Sequence, residues 1–403
     1  MTRGFLALLA ALFAGGVAAS PVRALLPAYV EAVLNQPPAF TATLLAIQLG
    51  CGGIFALAGG ALSDLVSRRA AVLIGLTTAL FGAALFAVRD PVALVAVAML
   101  WGIASGFQSA GGQSFMLAAV SRAQLGSATA AYFISSTASG ALGAFLGGVL
   151  AERFGFSAVA GGAASFTLVA LLLAARFLPQ MGQDAQSAGA RRSRWSGGYG
   201  DLLSRSDVRQ LCALRFLPTV AWGAASLALP LLVFRHTGSA ALTGLYGTVS
   251  LLGAAGAQLA TGRAVDALTK RAGRDGDESR GPRPLVAPLA GAILVAATLC
   301  TLLAAFGAPE VQVPGLFFAG TLWTMAAWSL STTMPPLIHS LGKGVDDGRL
   351  VALTHLLWSA GMLGGSFVAG GLLDLHPALP FAVASACLLL TLLTGLRFAR
   401  GTS

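Results

Sequence analysis

GGALSDLVSRR, residues 59–69, sets Asp64, Arg68 and Arg69 between two long stretches that carry no charge. The spacing returns in GRAVDALTKR, residues 262–271, where Gly262, Asp266, Lys270 and Arg271 repeat Gly60, Asp64, Arg68 and Arg69 after 202 residues. An offset one residue longer aligns LLPAYV at 25–30 with ALPLLV at 228–233, and a third echo joins SGALGAFLGG at 139–148 to AGMLGGSFVAGG at 360–371. Three correspondences in one order describe a duplicated plan, of the kind in which two halves of a membrane protein are internal repeats.

The material around these clusters is apolar. Of the 403 residues 56% are hydrophobic and 10% charged, with a mean hydropathy of +0.80, against about 25% charged in an average soluble domain. Uncharged segments of about 20 residues span the hydrocarbon core as helices, because a helix satisfies its own backbone polar groups. Twelve are expected, near residues 5–30, 41–62, 70–88, 92–117, 125–150, 157–177, 209–234, 241–262, 284–306, 314–338, 349–373 and 377–398. Arg3 followed by Phe5–Phe13 and small residues near Ala19 imitates a secretory leader, but the apolar run continues to Val30 and has a partner in the second half, so we read it as a retained helix. Residues 178–208 are polar, rich in Gly and Ser and basic, which makes them a linker between an N-terminal six-helix bundle (1–177) and a C-terminal one (209–403).

The formal charge of +10 is explained by its distribution. With both termini cytoplasmic, 20 of the 25 Lys and Arg residues fall on that side, as the positive-inside rule requires, and no basic patch with interleaved aromatics remains for nucleic acid. Cys51, Cys212, Cys300 and Cys387 stand singly in separate apolar segments and read as packing residues. No phosphate-cradling loop, zinc motif or nucleophile elbow is present, so neither an enzyme, a cofactor nor a metal site is expected.

GGALSDLVSRR resembles the loop between helices 2 and 3 of the major facilitator superfamily, roughly G-x-L-x-D-R-x-G-R-R/K. Gly60, Leu62, Asp64, Arg68 and Arg69 match, while Leu65 and Ser67 replace the usual Arg and Gly. The resemblance implies an all-α membrane protein of twelve transmembrane helices in two pseudo-symmetric six-helix bundles, with both loop clusters as gating elements that brace neighbouring helix ends. The plain alternative is a turn in which Asp64 caps the next helix and the arginines sit at lipid headgroups. Gly143, Gly147 and Gly148 resemble the glycine-rich stretch of family exporters, with Ala144 in place of its proline; small residues at that spacing also serve helix packing alone. The helix-4 Arg of proton-coupled exporters aligns with Ala98.

All fifteen carboxylates are expected in loops or at helix ends, so the usual group for holding a coupling proton or a cationic drug is missing from the membrane interior. The interior holds positive and polar groups instead: Arg23, Arg215 and His355, with Gln108, Gln113, Trp222 and Trp328. Arg23, Gln108, Arg215, Trp222, Trp328 and His355 are the candidate substrate-binding residues. The resulting expectation is a secondary transporter in the plasma membrane (the bacterial inner membrane), moving an organic anion or amphiphile by alternating access. The runner-up is a proton-coupled exporter of hydrophobic compounds or drugs, and a third reading is a transport-inactive receptor or lipid scramblase on the same scaffold. Its partners would be a small-molecule substrate, a coupling proton and membrane lipids, acting on a monomer.

Overall fold

The structure, a computed structural model, describes residues 2–36, 38–180, 199–237, 240–274, 281–342, 346–373 and 375–400. Among these residues there are twelve long helices: α1 (Arg3–Ala32), α2 (Pro38–Leu65), α3 (Arg68–Ala83), α4 (Pro91–Ala119), α5 (Leu125–Phe154), α6 (Phe156–Phe177), α7 (Ser206–Thr237), α8 (Ala240–Arg274), α9 (Val286–Phe306), α10 (Pro309–Gly342), α11 (Asp347–Leu372) and α12 (Leu379–Arg400). Ten carry described stretches long and apolar enough to cross a membrane, and α5 and α8 are the two outside that ten. Hydroxyl-bearing residues such as Ser127, Thr129, Ser135, Ser136 and Ser139 dilute the apolar character of α5.

Local chemistry sets the ends. Asp90 accepts from the amides of Val92 (3.2 Å) and Ala93 (3.4 Å) with Pro91 at the first helical position, which starts α4. Gly155 divides α5 from α6 at φ 79, a left-handed conformation that side chains disfavour. Helix α8 continues to Arg274, so Asp266 lies inside a helix and not in the loop expected after residue 262.

Packing divides the chain into two compact units. The first comprises Met1–Ser121, Ala131–Tyr199 and Gly342–Leu356; the second comprises Arg122–Ala130, Gly200–Leu341 and Leu357–Ser403. In the first unit α4 lies along α2 and α3, and α6 along α1 and α3. The α2–α4 approach depends on Gly106, where a Cβ would sit 2.5 Å from the Gly52 carbonyl oxygen and 2.6 Å from the Ala56 nitrogen. Gly106→Ala is therefore expected to destabilise the protein by about 1–3 kcal/mol, whereas Gly161→Ala, whose Cβ would point into open space, should leave thermal unfolding in detergent unchanged. One end of this unit is filled by Leu26, Tyr29, Phe86, Leu94 and Trp101, with the Tyr29 hydroxyl donating to the Val88 carbonyl at 2.7 Å. Ala98, 1% exposed, belongs to the same cluster.

In the second unit α12 packs on α7 and α9, and Trp323 meets Phe381 at 6.3 Å between ring centroids. The duplicated plan is visible in the packing of each unit. A Cβ on Gly143 of α5 would collide with the Val17 carbonyl of α1, and one on Gly365 of α11 would collide with the Val220 carbonyl of α7. Gly147 is buried on α5, and the side of Gly148 lies outside the described residues.

Candidate functional site

Only Val66 and Ser67 separate α2 from α3, so Asp64 occupies the last turn of α2, and Arg68 and Arg69 the first turn of α3. The cap of α3 is Ser67, whose hydroxyl accepts from the Ala70 amide at 3.3 Å. Asp64 does not cap the next helix; it caps one far along the chain. Its Oδ1 accepts from the Gly348 amide at 2.9 Å and its Oδ2 from the Arg349 amide at 2.8 Å, closing the first turn of α11. A buried carboxylate there satisfies two orphan amides and meets the positive end of the helix dipole. Gly60, one turn earlier, lets the helices touch, since a Cβ on it would strike the Gly348 carbonyl and Ala352.

Among the described residues no ion pair joins Asp64 to Arg68 or Arg69. Arg69 instead donates to the Ala175 carbonyl in the last turn of α6, placing a cation at a helix C-terminus. Arg349 pairs with Asp346 at the start of α11. Tyr199, immediately after the linker, donates from its hydroxyl to the Leu57 carbonyl at 2.7 Å. Burial, and secondarily the negative charge of Asp64, push its phenol up from the ordinary value, so it stays a donor throughout the physiological range.

The second cluster builds the same arrangement within the second unit. Asp266 Oδ1 accepts from the Gly126 amide at 2.8 Å, and Oδ2 accepts from the Ser127 amide at 3.2 Å and from the Ser127 hydroxyl, capping the first turn of α5. Gly262 takes the part of Gly60: a Cβ on it would lie 2.7 Å from the Gly126 carbonyl oxygen and 2.8 Å from Ala130. Lys270 and Arg271, by contrast, are exposed on the last turns of α8.

The interior candidates fall apart into different environments. Arg215 lies nine residues into α7, roughly 13 Å from its start at 1.5 Å per residue. Its guanidinium donates to the Ser331 hydroxyl of α10 at 3.4 Å, and no carboxylate partner is present among the described residues. Trp222, seven residues on, shares a face of α7 with Arg215, and Trp328 shares a face of α10 with Ser331, three residues away. Pro335 and Pro336 leave the carbonyls of Ser331 and Thr332 without helical donors, loosening α10 at the level of Arg215.

Gln108 is used between α3 and α4, where its amide donates to the Gly75 carbonyl at 3.2 Å. His355 of α11 is 9% exposed and places Nδ1 2.8 Å from the Ser109 hydroxyl of α4. Arg23 is on α1, but its side chain lies outside the described residues. Sequence reasoning passed over Ser109, Ser331 and Gln258. The last is fully buried in mid-α8 with neither amide atom hydrogen-bonded among the described residues, and the 202-residue offset would have marked it, because its counterpart is Ala56.

Residues 5–334 match the family model described as Major Facilitator Superfamily. No curated protein sequence matches the chain. Among solved structures, the human organic anion transporter MFSD10 (TETRAN) superposes with a TM-score of 0.75 at 19% identity, covering 98% of this chain and 99% of that one. A bacterial homologue of the iron transporter ferroportin, in an outward-facing state, gives 0.78 at 13% identity over 99% and 100% of the two chains. The proton:xylose symporter XylE gives 0.75 at 13% identity over 98% and 95%. The all-helical architecture, the repeated carboxylate caps and the family match over residues 5–334 lead to one assignment: the chain belongs to the major facilitator superfamily of membrane transporters.

Proposed function

We propose that this transporter moves an organic anion or amphiphile by alternating access, with Arg215 as the fixed positive partner of the substrate. The observation that carries the reading is a guanidinium within a membrane-spanning helix whose one described hydrogen bond, to Ser331, is long, with no carboxylate partner among the described residues. A charge at that depth is costly unless it faces a polar cavity or a counter-ion, and a guanidinium grips a carboxylate or phosphate through two parallel hydrogen bonds. Trp222 and Trp328 supply the apolar walls that an aromatic or amphiphilic anion needs. Arg23 stays a second candidate on the same argument. The human MFSD10 is an organic anion transporter, which agrees with this reading; other structures of the same fold are sugar symporters, so the substrate class rests on Arg215.

In this reading the protein is a monomer of the plasma membrane, the inner membrane of a bacterium, with two six-helix bundles (1–177 and 209–403) joined by the basic linker. The caps at Asp64 and Asp266 are gates on the side bearing most of the Lys and Arg residues, the cytoplasmic side. An impermeant thiol reagent applied to intact cells should then label a cysteine at Val311, which is 57% exposed, and spare one at Ser187 in the linker, which lies outside the described residues. Labelling in the reverse pattern would overturn the orientation.

Ligand binding itself is tested by thermal unfolding of purified protein with benzoate, succinate, L-fucose and D-xylose. A ligand at about a hundred times its Kd stabilises the folded state by roughly 2.7 kcal/mol. Stabilisation by a carboxylate that is lost in Arg215→Gln supports the reading; stabilisation by the sugars alone defeats it.

A further inference from the structure

The end of the second unit at which α9 starts and α12 stops carries three arginines that the transport reading does not use. Helix α12 spans the membrane and presents an apolar stripe: Leu389, Leu393 and Leu396, at spacings of four and three residues, are exposed on one face. The next position on that stripe is Arg400, and Arg397 stands beside it, one turn beyond Leu393. Both arginines are exposed in the last turn of the helix.

A third cation reaches the same level from the start of α9. Gly395 brings the two helices together, since a Cβ on it would lie 3.2 Å from Val286 Cγ1 in the first turn of α9. Arg283, three residues before Val286, sets its guanidinium over the buried ring of Phe398, 4.8 Å from the centroid. Stacking of this kind fixes the plane of the guanidinium.

These charges are not neutralised by the protein. Asp207, at the start of α7, is near enough to feel the charge of Arg283, but its carboxylate is taken by Arg205, which donates to it at 2.8 Å and 3.3 Å. Among the described residues no ion pair joins Arg283, Arg397 or Arg400 to a carboxylate. Arg283 Nε is buried without an acceptor, which leaves the Nη groups of that side chain as its free donors.

We propose that Arg283, Arg397 and Arg400 form a binding site for the phosphate of an anionic phospholipid, whose acyl chain lies along Leu389, Leu393 and Leu396.

The leucine stripe favours a lipid over a soluble phosphate. An acyl chain needs an apolar surface along a membrane-spanning helix, and this one ends at the cations that a headgroup phosphate requires. Arginines that only anchor a helix end at the interface need no fixed geometry. Arg283 has one, set by the Phe398 ring and by the close approach at Gly395. A phosphate gripped from both helices ties the start of α9 to the end of α12, whatever solute the transporter moves.

The test titrates the full chain in detergent micelles with dioleoylphosphatidylglycerol or dioleoylphosphatidylcholine and counts retained adducts by native mass spectrometry. One phosphatidylglycerol should be held about tenfold or more tightly than phosphatidylcholine. A basic residue beside an anionic headgroup is worth about a factor of five, so Arg397→Gln with Arg400→Gln, both at exposed positions, should weaken that binding about 30-fold. Arg283→Lys keeps the charge and loses the planar fork, and should weaken it about fivefold. Arg176→Gln with Arg274→Gln removes two charges from the ends of α6 and α8 and should change it by less than about threefold.

Equal retention of the two lipids, an equal loss in the α6 and α8 pair, or unchanged binding in Arg283→Lys overturns the proposal. Inorganic phosphate that displaces the lipid at the lipid's own concentration marks a site for soluble phosphate and overturns it as well.

Discussion

Asp64→Asn is expected to slow substrate exchange by roughly tenfold to a hundredfold while leaving expression and apparent substrate affinity within a few-fold of wild type. An asparagine offers one acceptor where the carboxylate offers two, and its amino group faces an amide that also donates, so one of the two bonds to Gly348 and Arg349 is lost. Hydrogen bonds to a charged group contribute about 1.5–3 kcal/mol, and the attraction of a carboxylate to a helix N-terminus adds about 0.3–1 kcal/mol. Every 1.4 kcal/mol, about a factor of ten, moves the balance between closed and open gate by that factor. Asp266→Asn should behave alike, because Gly126 and Ser127 reproduce the geometry at the start of α5. Wild-type turnover in Asp64→Asn, measured from the rate and concentration dependence of exchange, would reduce the cap to an anchor.

The second large effect is expected at Arg215. Arg215→Gln should lower anion transport at least a hundredfold while the protein remains inserted and stable, because the uncharged side chain removes the partner that compensates for moving an anion out of water. Arg215→Lys should fall between, near tenfold, because an ammonium keeps the charge and loses the two-pronged geometry. Ser331→Ala, which removes only a 3.4 Å contact, should cost little. The readout is the initial rate of labelled benzoate exchange; equal rates in Arg215→Gln and wild type remove the anion reading.

The fold was legible in the sequence because a membrane span must be long, apolar and internally hydrogen-bonded, and because the duplicated clusters carry their spacing with them. Gly60 and Gly262 and the two aspartates could be paired on spacing alone. What they touch could not. Asp64 meets an amide 284 residues away, whereas local spacing suggests the helix next door, and Ser67, a departure from the family pattern, supplies the cap that the plain alternative gave to Asp64.

Helix α8 outran its expected end because Asp266, Lys270 and Arg271 look like loop residues, yet a helix can project beyond the hydrocarbon and keep its charges in the interface. The interior was harder. Intramembrane polarity singled out Gln108, Arg215 and His355, but whether each faces a cavity or a neighbouring helix depends on contacts between distant segments. Gln108 is occupied by Gly75, and His355 depends on a serine 246 residues away.

The most direct measurement is counterflow in proteoliposomes loaded with unlabelled benzoate and diluted into a trace of the labelled compound. A secondary transporter of organic anions gives a transient accumulation of label above equilibrium in wild type and none in Arg215→Gln. A receptor that only binds gives no overshoot with any solute. Overshoot with D-xylose or a hydrophobic amine, and none with benzoate or succinate, would contradict the account.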